Sequence, residues 1–177
     1  MRVLLFGLLA TLFFSSCETL DQFTQFDVPY STTFDIPATP VAGINLPVLS
    51  IASPPITTNI EQKLQGYNTS TDLIETVTLK SLELTITDPA TEDFSFLNQV
   101  TLYIDADGLD EKEIASKTNI STENKLTFDV TGVNLKDYII ADEFTMRISV
   151  EIDETTTVKY EVKADMVFNI DAKILGA

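Results

Sequence analysis

Two runs toward the C-terminal end carry the clearest pattern in the chain. Phe144, Met146, Ile148, Val150 and Ile152 alternate with Glu143, Thr145, Arg147, Ser149, Glu151 and Asp153. Beyond Glu154-Thr155-Thr156, a second run follows: Val158, Tyr160, Val162, Ala164, Met166, Phe168 and Ile170. Polar residues stand between them, with Val167 the exception. A period of two puts one face of each strand on a core and the other in water. Together the runs read as one long hairpin. In that register Ile152 faces Val158, and Glu151 faces Lys159 as an opposite-charge pair worth about a few tenths of a kcal/mol. The second run is longer than a usual strand. A bend or bulge is therefore expected near Asp165, where the chain passes between sheets.

The same alternation recurs upstream. Leu82, Leu84 and Ile86 form one run, stopped by Asp88-Pro89; Val100, Leu102 and Ile104 form another; Leu126, Phe128 and Val130 a third. Two short helical pieces interrupt them. Residues 58–66 place Thr58 and Glu61 at capping-box spacing, Ile60, Leu64 and Tyr67 on one face, and Gly66 at the C-terminal cap. Leu135, Tyr138 and Ile139 have the spacing of a single helical turn. Six of the seven prolines lie between Pro29 and Pro55. Proline cannot donate to a central ladder, so the extended segments 30–36 and 44–50 belong on sheet edges. Seven to eight strands with one or two short helical turns predict an all-β antiparallel β-sandwich of immunoglobulin-like architecture. The disulfide and Trp of antibody domains are missing, so only the architecture is argued.

The N-terminal end departs from this pattern. Met1-Arg2 is followed by an apolar run, Val3 to Phe14, and then Ser15-Ser16-Cys17. A positive residue, an apolar stretch and small residues make the layout of an export signal. The stretch is shorter than the roughly 20 residues that span a bilayer. The Ser15-Ser16-Cys17 ending resembles the lipobox of bacterial lipoproteins, departing from it at Phe14, where the family usually has Leu. The resemblance implies cleavage after residue 16, a diacylglycerol thioether on Cys17 and acylation of its amine. Two or three acyl chains anchor durably, at about 0.8 kcal/mol per buried methylene. Glu18 after the cysteine favours the outer membrane over the inner by the same resemblance. Residues 17–28 then read as a lipidated tether, of which residues 18–28 reach roughly 35 Å when extended, and residues 29–177 as one domain. In layout the whole chain is similar to small β-rich lipoproteins of Gram-negative envelopes.

Composition narrows what such a domain does. The chain has 177 residues and a formal charge of −16; losing Arg2 with the leader takes that to −17. Nucleic acid is excluded as a partner, because phosphate neutralisation needs a basic patch. Adhesion of the protein surface itself to anionic lipid is disfavoured likewise. There is no His and a single Cys, so the commonest general base and metal ligand, and any internal disulfide, are lacking. Trp, the best ring for stacking on a sugar, is also missing.

Four features were weighed for chemistry. Asp105, Asp107 and Asp110, with Glu111, form the densest carboxylate cluster; clustered Asp on a loop could supply several of the six to eight oxygens calcium takes. Gly108 comes one residue after the second Asp, which breaks EF-hand spacing. A polar hairpin loop turning at Asp107-Gly108 is the plainer expectation. Lys112 and Lys117 with Ser116 and Ser121 lie in too polar a stretch for a Ser–Lys nucleophile. Asn68-Thr69-Ser70 and Asn119-Ile120-Ser121 match a glycosylation pattern that means little in a bacterial lipoprotein. Phe23, Phe26, Tyr30 and Phe34 either pack on the sandwich or dock on a partner. The reading is a non-enzymatic, lipid-anchored binding or assembly module for another envelope component. The alternatives are an adhesion or glycan-binding module, calcium-assisted through the three Asp, and a small carboxylate-based hydrolase. No catalytic residue and no cofactor is assigned beyond the lipid on Cys17.

Overall fold

Alternating strands bury their apolar sides only by facing one another. A computed structural model of the chain, describing residues 24–39, 48–120 and 122–173, achieves this with ten antiparallel strands in two layers. The strands are β1 (Gln25–Ile36), β2 (Val48–Ala52), β3 (Ile56–Thr57), β4 (Ile74–Asp88), β5 (Leu97–Asp105), β6 (Lys112–Thr118), β7 (Lys125–Thr127), β8 (Asp129–Val130), β9 (Glu143–Ile152) and β10 (Tyr160–Ala172). Two five-residue helices, α1 (Ile60–Leu64) and α2 (Lys136–Ile140), lie between them.

One sheet runs β1-β10-β4-β7 and the other β2-β9-β5-β6-β8, with β3 continuing the β2 edge along β9. The expected antiparallel sandwich is therefore present, with a finer arrangement unlike the immunoglobulin one. Among the described residues only β5 and β6 are sequence neighbours that pair. Most other connections carry the chain from one sheet to the other. Leaving aside two-residue β3 and β8, eight strands in this order form a jelly roll.

That topology overturns the C-terminal hairpin. β9 lies in one sheet, between β2 and β5, while β10 lies in the other, between β1 and β4. Alternation reports which face is apolar; it is silent on whether two such faces lie side by side or opposite each other. Here they are opposite. Val150 and Val162 are both fully buried, from different layers. Glu151 pairs in register with Val48 and Gln99, and Lys159 reaches Asp35 at 3.2 Å. Val158, expected in the core, is 38% exposed in the crossover.

β10 keeps strict alternation over 13 residues and stays within one sheet, so the bend expected near Asp165 is absent. The irregularities fall on its neighbour. In the β10–β4 register Glu75, Lys80 and Thr87 are skipped. Each belongs to a pair of consecutive exposed residues in β4: Glu75-Thr76, Lys80-Ser81 and Thr87-Asp88. An extra residue on one strand is a bulge, and it restores the inward phase of the next apolar residue. Hence Ile74, Val77, Leu79, Leu82, Leu84 and Ile86 are all buried despite mixed spacing.

The run from Leu126 to Val130 is split as well. β7 pairs β4 in one sheet and β8 pairs β6 in the other. Leu126 and Phe128 stay buried, whereas Val130 is 36% exposed. β1, which contains Pro29, is an edge strand as its proline requires; β2, with no proline from Val48 to Ala52, is an edge strand as well, and residues 44–47 of the segment expected there lie outside the described residues. β1 begins at Gln25, so the stretch read as tether up to Val28 is partly strand. Residues 1–16, Cys17 and Phe23 lie outside the described residues.

The helices form where expected, with different ends. Thr58 is not a cap: its Oγ1 donates to the carbonyls of Ala141 (2.6 Å) and Asp142 (3.3 Å), and its N–H to Asp142 at 2.9 Å. It thereby joins the start of α1 to the chain after α2. Asn59, in the left-handed region at φ 47°, precedes α1 instead. Gly66 falls inside a 3-10 turn (Gln65–Tyr67), and Asn68 at φ 52° ends it. Asn tolerates that conformation better than other non-glycine residues.

Candidate functional site

The ends of the sandwich differ in what they carry. Gln25 pairs with Asp171, and Ile36 with Tyr160. The first turn of the fold, α1, the Asp-rich β5–β6 hairpin and α2 therefore gather at the end where β1 enters. The crossover after β9 and the loop between β4 and β5 lie at the other.

Asp105 is the last residue of β5, opposite Thr145. Asp107-Gly108 form the turn: Leu109 N–H donates to the Ala106 carbonyl at 3.0 Å, and Gly108 has φ +75°. A Cβ at that φ is strained even though open space surrounds it. The Asp110 carbonyl accepts from Tyr138 Oη, which fastens the hairpin to α2. Burial first, then the charges of Asp110, Asp105 and Asp137, raise the Tyr138 hydroxyl above its ordinary pKa. Among the described residues no three His, Cys, Asp or Glu side chains are arranged to hold a metal ion. The three Asp sit on a tight polar hairpin whose backbone is bonded internally and to Tyr138.

Glu111, the last residue of the cluster, is engaged elsewhere. Arg147 Nε and Nη2 each donate to its carboxylate at 2.6 Å, and the guanidinium lies 4.0 Å over the Tyr103 ring. Those hydrogen bonds hold the Glu111 carboxyl below its ordinary range. Arg147 is the only arginine after Arg2, which marks the residue and not its partner. It was read only as a polar position in a strand.

The lysine and serine candidates separate. Lys112 Nζ donates to the Asn134 carbonyl at 3.4 Å and lies 5.2 Å over the Tyr138 ring. Ser116 stands on β6 opposite Thr101 and Asp129; Ser121 lies outside the described residues. Of the aromatics, Phe34 and Tyr30 are buried, and Phe26 is half-buried, stacked on Tyr67 at 3.9 Å. Tyr30 meets Phe144 and Phe168 edge-on at 5.6 and 5.7 Å, joining both sheets. These rings pack on the sandwich.

Among the described residues, one open hollow lies beside α1 and another between β1 and β2. One, of about 360 Å³, is lined by Thr57, Asn59, Glu61, Gln62, Ile140 and Asp142. The other, of about 620 Å³, lies between β1 and β2 and is lined by Thr33, Phe34, Asp35, Ile51, Ser53 and Glu161.

No family model matches this sequence, and no curated protein matches it. Among solved structures, the decameric BFDV capsid protein is 10% identical over 82% of this chain and 98% of its own, with a TM-score of 0.43. Desmodium yellow mottle tymovirus is 12% identical over 100% and 95%, with a TM-score of 0.28. Turnip yellow mosaic virus is 10% identical over 100% and 93%, with a TM-score of 0.27. Likenesses at this level carry no argument about what the chain does.

Proposed function

We propose that this chain is an exported lipoprotein, cleaved before Cys17 and lipidated there. Its jelly roll is then a non-enzymatic binding or assembly module for another component of the cell envelope. The observation that carries this is the apolar leader ending at Ser15-Ser16 and the only cysteine of the chain. Support for a non-enzymatic role comes from composition: no His is available as a base and no second thiol for redox work. On this reading residues 18–24 connect the lipid to β1. The end that enters first carries Asp105, Asp107, Asp110 and Asp137, charges that an anionic lipid surface repels. The tether and this charge hold the domain off the membrane, with the opposite loops turned outward.

The test is metabolic labelling with an alkyne fatty acid. The wild-type chain is expected to label and Cys17→Ala to lose the label; label retained in Cys17→Ala overturns the anchor. Cross-linking in intact envelopes, read by mass spectrometry, is expected to recover one envelope protein reproducibly with the wild type. Recovery of no protein above an unrelated lipoprotein control overturns the contact role.

A further inference from the structure

An open sheet edge is a row of unpaired backbone donors and acceptors, and proteins normally blunt it with charge, proline or brevity. Three of the four edges here are blunted. β7 and β8 have three and two residues. β1 carries Asp27 and Asp35, and Pro29 removes a donor. The Pro29 carbonyl accepts from Lys63 Nζ at 3.1 Å, so that point of the edge is also covered by a side chain.

Among the described residues, β2 has none of these devices. Its sequence is Val48-Leu49-Ser50-Ile51-Ala52, with no charge and no proline. Val48 is 62% exposed, and Leu49 and Ile51, although they face the core, are only partly buried. Ser53 N–H donates to the Met146 carbonyl at 2.7 Å. Backbone groups in an antiparallel strand alternate in direction. The odd residues of β2 thus face β9, and the groups of Val48, Ser50 and Ala52 face outward. Pro54-Pro55 close the edge at its far end.

We infer that the β2 edge pairs with β2 of a second copy of this chain, antiparallel across a two-fold axis at Ser50. This inference is independent of the lipoprotein reading. In that register Ser50 faces Ser50 of the other copy, and Val48 faces its Ala52. These are the residues whose backbone groups point outward, so each facing pair exchanges two hydrogen bonds. Leu49 comes opposite Ile51, and the partly buried aliphatics cover each other.

Charge favours a second copy at this place and at few others. With a net charge of −16, two copies repel across most of their surfaces. β2 is neutral. Of the residues beside it, Glu151 stands next to Val48, and Arg147, next to Ala52, is already neutralised by Glu111.

The experiment uses the full chain in mild detergent, followed by sedimentation velocity. Because a five-residue edge makes a small, weak interface, the range extends to about 1 mM chain. The wild type is expected to dimerise and Ser50→Pro to stay monomeric with an unchanged β-type circular dichroism spectrum. Its missing N–H lies on the outward side and leaves the β9 ladder whole. Should Ser50→Pro lose its fold, Ser50→Lys, which sets two like charges face to face, is expected to give the same monomer. With the purified chain and a mild oxidant, Ser50→Cys in a Cys17→Ser background is expected to give a disulfide-linked dimer on a non-reducing gel. Val48→Cys is not, because the two copies of Val48 are about 13 Å apart along the strand. A wild type that is monomeric throughout the range overturns the inference. So does a dimer that survives in a folded Ser50→Pro or Ser50→Lys, or equal cross-linking through positions 48 and 50.

Discussion

Arg147, in the middle of β9, holds Glu111, just ahead of β6, by two hydrogen bonds of 2.6 Å while its guanidinium covers Tyr103. Two strands, β9 and β5, and the end of the Asp-rich hairpin are tied by one side chain on the outer face of the larger sheet. Both partners are about one-third exposed, so solvent screens the pair and its worth stays below about 1 kcal/mol.

The pair makes a prediction with a defined sign. Arg147 lowers the Glu111 carboxyl below its ordinary 4.5. The stabilisation is therefore complete above that value and is lost as pH falls through the lower folded-state pKa. Glu111→Gln is expected to unfold at slightly lower urea than the wild type at pH 7, and the gap is expected to close as the pH falls through the lowered pKa. A gap that widens in acid contradicts the assignment.

Tyr30 Oη donates to the Thr58 carbonyl at 2.9 Å inside the protein. Tyr30→Phe keeps the ring contacts with Phe144 and Phe168 and leaves that carbonyl without its donor. A loss of about 1–3 kcal/mol in chemical denaturation is expected. An unchanged midpoint means that water replaces the hydroxyl.

Val150 and Val162 are both fully buried, in opposite sheets. Val150→Asp and Val162→Asp each place a charge in the core, and each is expected to abolish cooperative melting. Val158→Asp, at an exposed crossover position, is expected to melt within about 0.5 kcal/mol of the wild type. Had β9 and β10 formed a hairpin with Val158 on its apolar face, this third variant would be as damaging as the other two.

Gly108 stands at φ +75° in the β5–β6 turn. Gly108→Ala is expected to cost about 1–2 kcal/mol through backbone strain alone, because its Cβ meets nothing. Gly66, with open space and an ordinary φ, offers the control: Gly66→Ala is expected to be neutral or slightly stabilising.

The bulges of β4 show how far a sequence reading reaches. Glu75-Thr76 and Lys80-Ser81 break the period of two, and each doublet is visible in the sequence. In β4, strict alternation marks only the segment from Leu82 to Ile86 as strand. The capping-box spacing of Thr58 and Glu61 was visible too, yet Thr58 bonds the chain 83 residues away. The candidate carboxylates proved legible as a turn: Asp107-Gly108 form one, as their residue types favour. The Glu111–Arg147 pair was not, since a single Arg in an alternating strand carries no signal about which strand lies beside it.

By itself, the sequence determined which side of each strand is apolar, where prolines confine strands to edges, and where helical turns interrupt them. Those follow from local chemistry: side-chain alternation, a missing N–H, the spacing of three or four residues. Tertiary structure alone decided that β9 and β10 face each other across the core rather than side by side. Both arrangements bury the same residues, and the choice between them rests on which other strands complete each ladder. β10 fits between β1 and β4, and β9 between β2 and β5, with β5 and β10 each bonded on both sides. That same pairing leaves β2 at a sheet edge, a property that no pattern within Val48 to Ala52 could announce.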